Sequence, residues 1–500
     1  MAFSYFLVAG GIFLAKFIGL FRDIIFASVF GTSAVSDIYF QIFGIVTLIF
    51  TGIGVALQTM LIKNLNKEGI NTKEGQEIYT RKFVSRISAI LIAVIAVLYI
   101  FARPFTRMLL PEVAGETFEI AVKITYLMLP SLWGAVVAYI VSGALQNRQI
   151  FFVSSIISLP YNAVVLIALF LNVTDIYVIS LITTIGWILQ VIIQMPWFYK
   201  SGYRMFIPKK NESLLLAKGT VNQEILWIFI SNMMFQLCFT IDKAFASVES
   251  GAASTLNYAS NLFVTISSIF VVAMSNVVFP SISRNYEEKR MNYVKSLTQY
   301  IIKVMFAIFV PFALTVCCFG KNIIALLYER GEFTPELTSA TATLFAVYTF
   351  GFMGYICQEL FNKILYLDGK YKYTVSGAIA VVLAKPFVNI IALVYGGIYA
   401  IAVSTTVLLI LYALNVFFAL KKVTGPYITK ELLGDLCAIL LAGVAAFGVY
   451  LLFKALAPAL FGNGLIFAVV LALCGIVYLA VLYATGIFKK LVPKAGELND

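Results

Sequence analysis

Apolar runs long enough to cross a bilayer, about 20 residues each, follow one another along nearly the whole chain. Their spacing predicts about fourteen transmembrane helices, at roughly 2–29, 34–62, 80–102, 117–146, 150–172, 176–199, 222–248, 252–282, 294–319, 336–366, 371–395, 397–420, 431–456 and 462–488. In lipid each segment must satisfy its own backbone polar groups, which leaves helices as the natural spanning element. With 61% hydrophobic and 12% charged residues among 500, a water-soluble globule is excluded. The chain reads as an all-α polytopic membrane protein. The apolar N-terminus continues without a small-residue cleavage site, so the first helix is expected to stay.

The net charge of +12 does not point to nucleic acid, because the basic residues lie in connections between spans. One set of connections, around residues 63–82, 148, 200–218, 284–290, 370–372 and 421–430, together with the tail, is rich in Lys and Arg. The alternate set holds Arg103, Arg107, Lys321, Arg330 and Lys454. Basic residues favour the cytoplasmic side, so both termini are expected inside, in agreement with an even helix number. The six cysteines (Cys238, Cys317, Cys318, Cys357, Cys437 and Cys474) fall within apolar segments and read as small core residues, not disulfides or a metal site. The chain has no histidine, which removes His-based catalysis, metal ligation and proton relay together.

The chain also repeats itself. Asp23 to Val29 (DIIFASV) matches Asp242 to Val248 (DKAFASV), Leu109 to Glu112 (LLPE) matches Leu326 to Glu329 (LLYE), and Pro160 and Asn162 match Pro386 and Asn389. The separations are all about 220 residues. An even number of helices lies between corresponding points, so the halves share one orientation. Two parallel six-helix repeats with a site between them are the plan of alternating-access transporters. The expected organisation is an N-lobe over 1–200, a cytoplasmic linker over 201–221 that lies on anionic headgroups, a C-lobe over 222–421, and two further helices with a tail over 422–500. The external segments 103–116 and 320–335 are expected to be small interfacial elements.

Charges at membrane depth are the candidates for function, since burying one in lipid costs at least a few kcal/mol. The stretch from Lys16 to Asp37 carries Lys16, Arg22, Asp23 and Asp37. A bend at Gly19 would let Lys16 and Arg22 reach one cavity, a seat for a dianion such as a pyrophosphate. The alternative is a structural network of Arg22 with Asp23 or Asp37. In the second half, Glu359 and Lys363 have the spacing of a local helical ion pair. Asp242, deep in the seventh span, requires a cation, either a bound ion or a lysine such as Lys385. No Gly-rich phosphate loop, nucleophile motif or Cys/His cluster is present, so no enzyme is expected.

At these residues the sequence resembles the MurJ (MviN-type) lipid flippases. Ala15 to Asp23 (AKFIGLFRD) followed by Phe30 to Asp37 (FGTSAVSD) is similar to that family's first-helix signature. Further similar segments follow in order: Gly143 to Arg148 (GALQNR), Leu256 to Ala259 (LNYA), Val278 to Arg284 (VFPSISR) and Leu327 to Thr334 (LYERGEFT). The resemblance implies a MOP-superfamily (MATE-like) fold that moves undecaprenyl-diphosphate-linked precursors, chiefly lipid II, between the leaflets of the bacterial cytoplasmic membrane for peptidoglycan synthesis. It places Arg22 and Lys16 at pyrophosphate-binding positions and Asp37 in the same cavity. It makes the last two helices a groove for the lipid tail. The sodium site of some members maps to Asp242, Asn389 and Thr405, with Lys385 at another of its positions, where an ammonium would replace the ion. Two family arginines have no counterpart: the region Thr47 to Gly52 has none, and Asn261 stands at the second position.

The expected function is therefore a flippase for a lipid-linked envelope precursor, with Lys16 and Arg22 binding the pyrophosphate and Asp23 and Asp37 positioning them. Coupling to membrane potential or sodium would run through Asp242, Lys385, Asn389 and Thr405. No cofactor is expected; the partners are the lipid-linked substrate and membrane lipids around a monomer. Alternatives are a flippase for another polyprenyl-linked glycan, a cation-coupled drug exporter, which the cationic first half disfavours by charge, and a non-transporting scaffold.

Overall fold

The computed structural model describes residues 2–45, 51–65, 70, 72–111, 113–205, 223–249, 251–425, 427, 429–456 and 464–491. Helices and turns make up these residues, with no strand among them. In chain order the helices are α1 (Ala2–Phe30), α2 (Ala34–Ile45), α3 (Thr51–Leu65), α4 (Lys73–Ile100), α5 (Ala102–Leu109), α6 (Gly115–Met128), α7 (Ser131–Asn147), α8 (Phe151–Ser155), α9 (Leu159–Phe170), α10 (Ile176–Lys200), α11 (Gln223–Ala246), α12 (Ala252–Ser267), α13 (Ala273–Glu287), α14 (Met291–Tyr328), α15 (Pro335–Leu367), α16 (Tyr371–Thr424), α17 (Lys430–Leu456), α18 (Gly464–Ala484) and α19 (Ile487–Leu491).

Each expected span has a counterpart, and several spans are split. The fourth is α6 followed by α7, broken at Pro130, which lacks the N–H that would continue the ladder. The fifth is α8 and α9, with Pro160 in the first turn of α9. The eighth is α12 and α13, joined by a π-helical turn over Ser268–Val272. The eleventh and twelfth run together as α16, whose 54 residues exceed what one bilayer crossing holds. Its path turns at Gly396 and Gly397, and Gly397 takes φ 56°, a conformation that only glycine adopts freely. The long apolar helices Lys73–Ile100, Ile176–Lys200, Met291–Tyr328, Pro335–Leu367 and Lys430–Leu456 are each sufficient to cross a membrane by length and composition.

Two expectations change. The helix of the third span begins earlier, at Lys73, where Thr72 caps it by accepting the Gly75 amide N–H at 3.1 Å. Segment 103–116 does contain a short helix, α5, whereas most of 320–335 is no separate element, because α14 continues to Tyr328. Of the linker, residues 206–221 lie outside the described residues.

Two compact units make up the chain. The first comprises Met1–Thr265, Leu327–Thr338 and Ala378–Ile401; the second comprises Ile266–Leu326, Ser339–Gly377 and Ala402–Asp500. The first unit thus takes in α11, most of α12 and the middle of α16. In the first unit α7 packs on α3 and α10 around Leu61, Val137, Val141, Val191 and Phe198. A side chain at Gly134 would stand 2.6 Å from the Trp187 carbonyl oxygen, so α7 and α10 meet backbone to backbone. Small residues permit this approach, and close packing replaces the hydrophobic drive that lipid cannot supply. In the second unit α17 packs on α18 and, through Phe319 and Tyr450, on α14. Phe309 of α14 stacks on Phe352 of α15 at 4.5 Å.

Candidate functional site

Helix α1 carries Arg22 into the interior of the first unit, where 7% of the residue is exposed. A guanidinium there must be neutralised and hydrogen-bonded. Arg22 Nε and Nη2 both donate to Asp23 Oδ1, Nε at 3.0 Å, and Nη1 donates to Asn162 Oδ1 at 3.0 Å. The guanidinium also lies over the rings of Tyr161, at 4.8 Å, and Phe43, at 5.6 Å. Asp23 Oδ2 accepts from Asn261 Nδ2 at 3.0 Å. Among the described residues, Arg22 thus uses three of the five N–H donors of a guanidinium.

The second half repeats this recipe with a different cation. Asp242 stands on α11 as Asp23 stands on α1. Lys385 Nζ lies 2.6 Å from Asp242 Oδ1, and the two side chains are 0% and 1% exposed. Asn389 Nδ2 donates to the same oxygen at 2.8 Å. Lys385 and Asn389 are one turn apart on α16, on either side of Pro386. Both halves therefore join an aspartate, a cation and an asparagine that follows a proline. In the first half the cation is the aspartate's own neighbour; in the second it comes from another helix.

Asp37 has different partners. Its two oxygens accept the backbone N–H groups of Gly251, at 2.7 Å, and Ser254, at 2.6 Å. These are orphan amides at the start of α12, the positive end of the helix, so a carboxylate is the favoured cap. Nearby, Tyr258 donates its hydroxyl to the Gly31 carbonyl at 2.9 Å, and the Glu332 N–H donates to the Ser28 carbonyl at 2.9 Å. Phe26, Phe40, Tyr258, Tyr328 and Phe333 form a continuous ring cluster beneath these bonds.

The structure thus brings Arg22 and Asp23 together and, separately, Asp242, Lys385 and Asn389. It does not add Asp37 to the Arg22 network, because both Asp37 oxygens serve α12. Lys16 is half-buried and has no hydrogen bond or ion pair among the described residues. Helix α1 runs unbroken through Gly19, and a six-residue separation puts Lys16 and Arg22 about 120° apart around it, so the two cations do not share one face. Thr405, fully buried, belongs to the second unit. Glu359 and Lys363 form the expected pair, at 3.3 Å. The six cysteines are all free.

Sequence reasoning missed three partners: Asn162, Asn261 and Asn257. The buried Lys243 donates to Asn257 Oδ1 at 3.1 Å. The available signal was the amide itself, since an Asn within an apolar span needs a partner. Asn162 had drawn notice only as part of a repeat, and Asn261 only as a missing arginine.

Helical spans interrupted by proline and buried ion networks repeated in two halves describe an all-α polytopic membrane protein. An inward-facing multidrug resistance MATE family transporter of the MOP superfamily superposes with a TM-score of 0.62 at 14% identity, over 84% of this chain and 96% of the other. The chain belongs to the lipid II flippase MurJ family, whose sequence profile matches residues 26–489. A solved structure of a lipid II flippase MurJ in an inward closed conformation has a TM-score of 0.78 at 22% identity, covering 96% of this chain and 100% of that one. The lipid II flippase MurJ of Burkholderia cenocepacia is 24% identical over 434 residues, 83% of each chain.

Proposed function

We propose that this protein flips lipid II from the inner to the outer leaflet of the bacterial cytoplasmic membrane, by alternating access and without covalent chemistry. The observation that carries the reading is Arg22: a buried guanidinium with two N–H donors unused among the described residues, in a chain of the lipid II flippase family. A pyrophosphate accepts hydrogen bonds in the geometry that a guanidinium offers. Asn162, Tyr161 and Phe43 keep the group in place while its Asp23 contact is exchanged for phosphate oxygen. Asn261 holds Asp23 during that exchange, so the displaced carboxylate keeps a donor. Lys16 supplies a second positive charge along α1.

The lipid tail has a seat in the second unit. A cavity of about 240 Å³ is lined by Leu314, Phe319, Phe447, Leu471, Gly475 and Tyr478, on α14, α17 and α18. Its largely apolar lining suits a prenyl chain, which stays in lipid while the head group crosses. With both termini cytoplasmic, the Asp37 contacts lie at the outer end of the first unit. They are a handful of hydrogen bonds between helix ends, so they part without unwinding any helix. Opening outward requires breaking them.

A second reading keeps the mechanism and changes the sugar. It is favoured by Asn261, an amide bonded to Asp23 where the family resemblance placed an arginine. The experiment is genetic: expression of this protein in cells depleted of their own lipid II flippase. Survival supports lipid II as cargo; lysis despite full membrane expression moves the assignment to another polyprenyl-linked glycan.

A further inference from the structure

The family resemblance directs attention to a cation at Asp242, and the donor set there does not suit a metal ion. A sodium ion needs several oxygen ligands converging on it. Around Asp242 Oδ1 two nitrogen donors converge instead, Lys385 Nζ at 2.6 Å and Asn389 Nδ2 at 2.8 Å. Lys385 is wholly buried, and its ammonium is held against the carboxylate by a covalent stem. A tethered group has a high effective concentration, against which a free ion must compete. An ion entering would also place a second positive charge beside the ammonium, at a high electrostatic cost in a dry interior.

We infer that the Asp242 pocket carries its own counter-ion, so that the natural chain binds no sodium there, and that shortening Lys385 uncovers a monovalent-cation site. The rest of the pocket has the parts for one. Asp242 supplies a carboxylate. Asn389 supplies an amide oxygen once its side chain turns over, which the loss of the ammonium favours. Lys385→Asn adds one more oxygen at the place vacated by the ammonium. A buried carboxylate left unpaired is costly, and an entering cation relieves that cost.

The test is thermal unfolding of the purified full-length protein in detergent, in sodium chloride and in choline chloride at equal ionic strength. A ligand that binds only the folded state raises the unfolding temperature. The natural chain is expected to unfold within about 1 °C in the two salts, because no sodium is taken up. Lys385→Asn is expected to be less stable in choline and to regain several degrees in sodium. The double variant Asp242→Asn with Lys385→Met removes both charges; it is expected to fold and to show no sodium response. Sodium-specific stabilisation of the natural chain overturns the inference. So does an equal response of Lys385→Asn in both salts. If that variant does not fold, Lys385→Ser takes its place under the same criterion. The readout does not involve the cargo, so failure of the lipid II assignment leaves this result unaffected.

Discussion

Asp37 on α2 and Ser254 on α12 stand 217 residues apart, and the Asp37 carboxylate accepts the Ser254 N–H at 2.6 Å. The contact ties together the first turns of helices that occupy equivalent places in the two repeats. Helix α2 caps itself, with the Ser33 N–H donating to Ser36 Oγ at 2.8 Å. Helix α12 takes its cap from the other half of the chain.

That borrowed cap makes Asp37 a latch. Asp37→Asn keeps the shape and loses the charge, and it is expected to weaken the cap by about 1 kcal/mol. Ala252, next to Gly251, is 5% exposed. A cysteine placed there by Ala252→Cys is expected to react several-fold faster with a membrane-impermeant maleimide once Asp37→Asn is added. Unchanged labelling would remove the latch from the account.

Arg22 separates a structural from a functional role. Arg22→Ala leaves Asp23 buried without its cation and is expected to cost about 3–5 kcal/mol. Arg22→Met with Asp23→Asn removes both charges and is expected to recover most of the unfolding temperature. Flipping is expected to stay below a tenth of the natural rate in both. A double variant that regains stability and transport together would make the pair a structural network only.

Glu359 and Lys363 are expected to matter little. Their 3.3 Å pair is a local helical one, with both side chains about a fifth exposed. Lys363→Ala is expected to change stability by about 0.5 kcal/mol or less and to leave transport within twofold. Unfolding and flipping measured on one preparation check both.

At the C-terminal end, Lys490 Nζ donates to Asp435 Oδ1 at 2.8 Å and to Glu431 Oε1 at 2.9 Å, clasping α19 to α17. The hydrogen bond to Asp435, then that to Glu431, pushes the Lys490 pKa up from 10.5. A raised lysine pKa contributes stability that is complete below the unfolded value and is lost as pH rises through the folded value. The difference in unfolding temperature between the natural chain and Lys490→Ala is therefore expected to be constant from about pH 7 to 9 and to shrink only above the ordinary lysine range. A difference that changed near neutrality would assign the clasp to another group.

The spans were legible in the sequence because a bilayer imposes length and apolarity locally. Even the division of α16 was placed between 395 and 397, where the path turns at Gly396 and Gly397. Helix ends were less legible. Lys321 looked like a loop residue, yet α14 runs on past it, because a lysine stem can lie along apolar surface with its charge in water. The ion networks were legible as residue types in need of partners, and Asp242 with Lys385 was paired on that ground. The remaining partners were not. Asn162 lies 140 residues from Arg22 and Asn261 lies 238 from Asp23, and no local rule brings them together. Asp37 was assigned to the cation cavity by the family resemblance, while its oxygens accept the open amides of α12.

Reconstitution of the purified protein in liposomes with labelled lipid II asks the central question directly, whether the chain itself carries the head group across. The account expects the natural protein to equilibrate lipid II between leaflets and Arg22→Met with Asp23→Asn, folded and inserted equally well, not to do so. Equal equilibration by the two proteins, or none by the natural one while another polyprenyl-diphosphate sugar crosses, would contradict it.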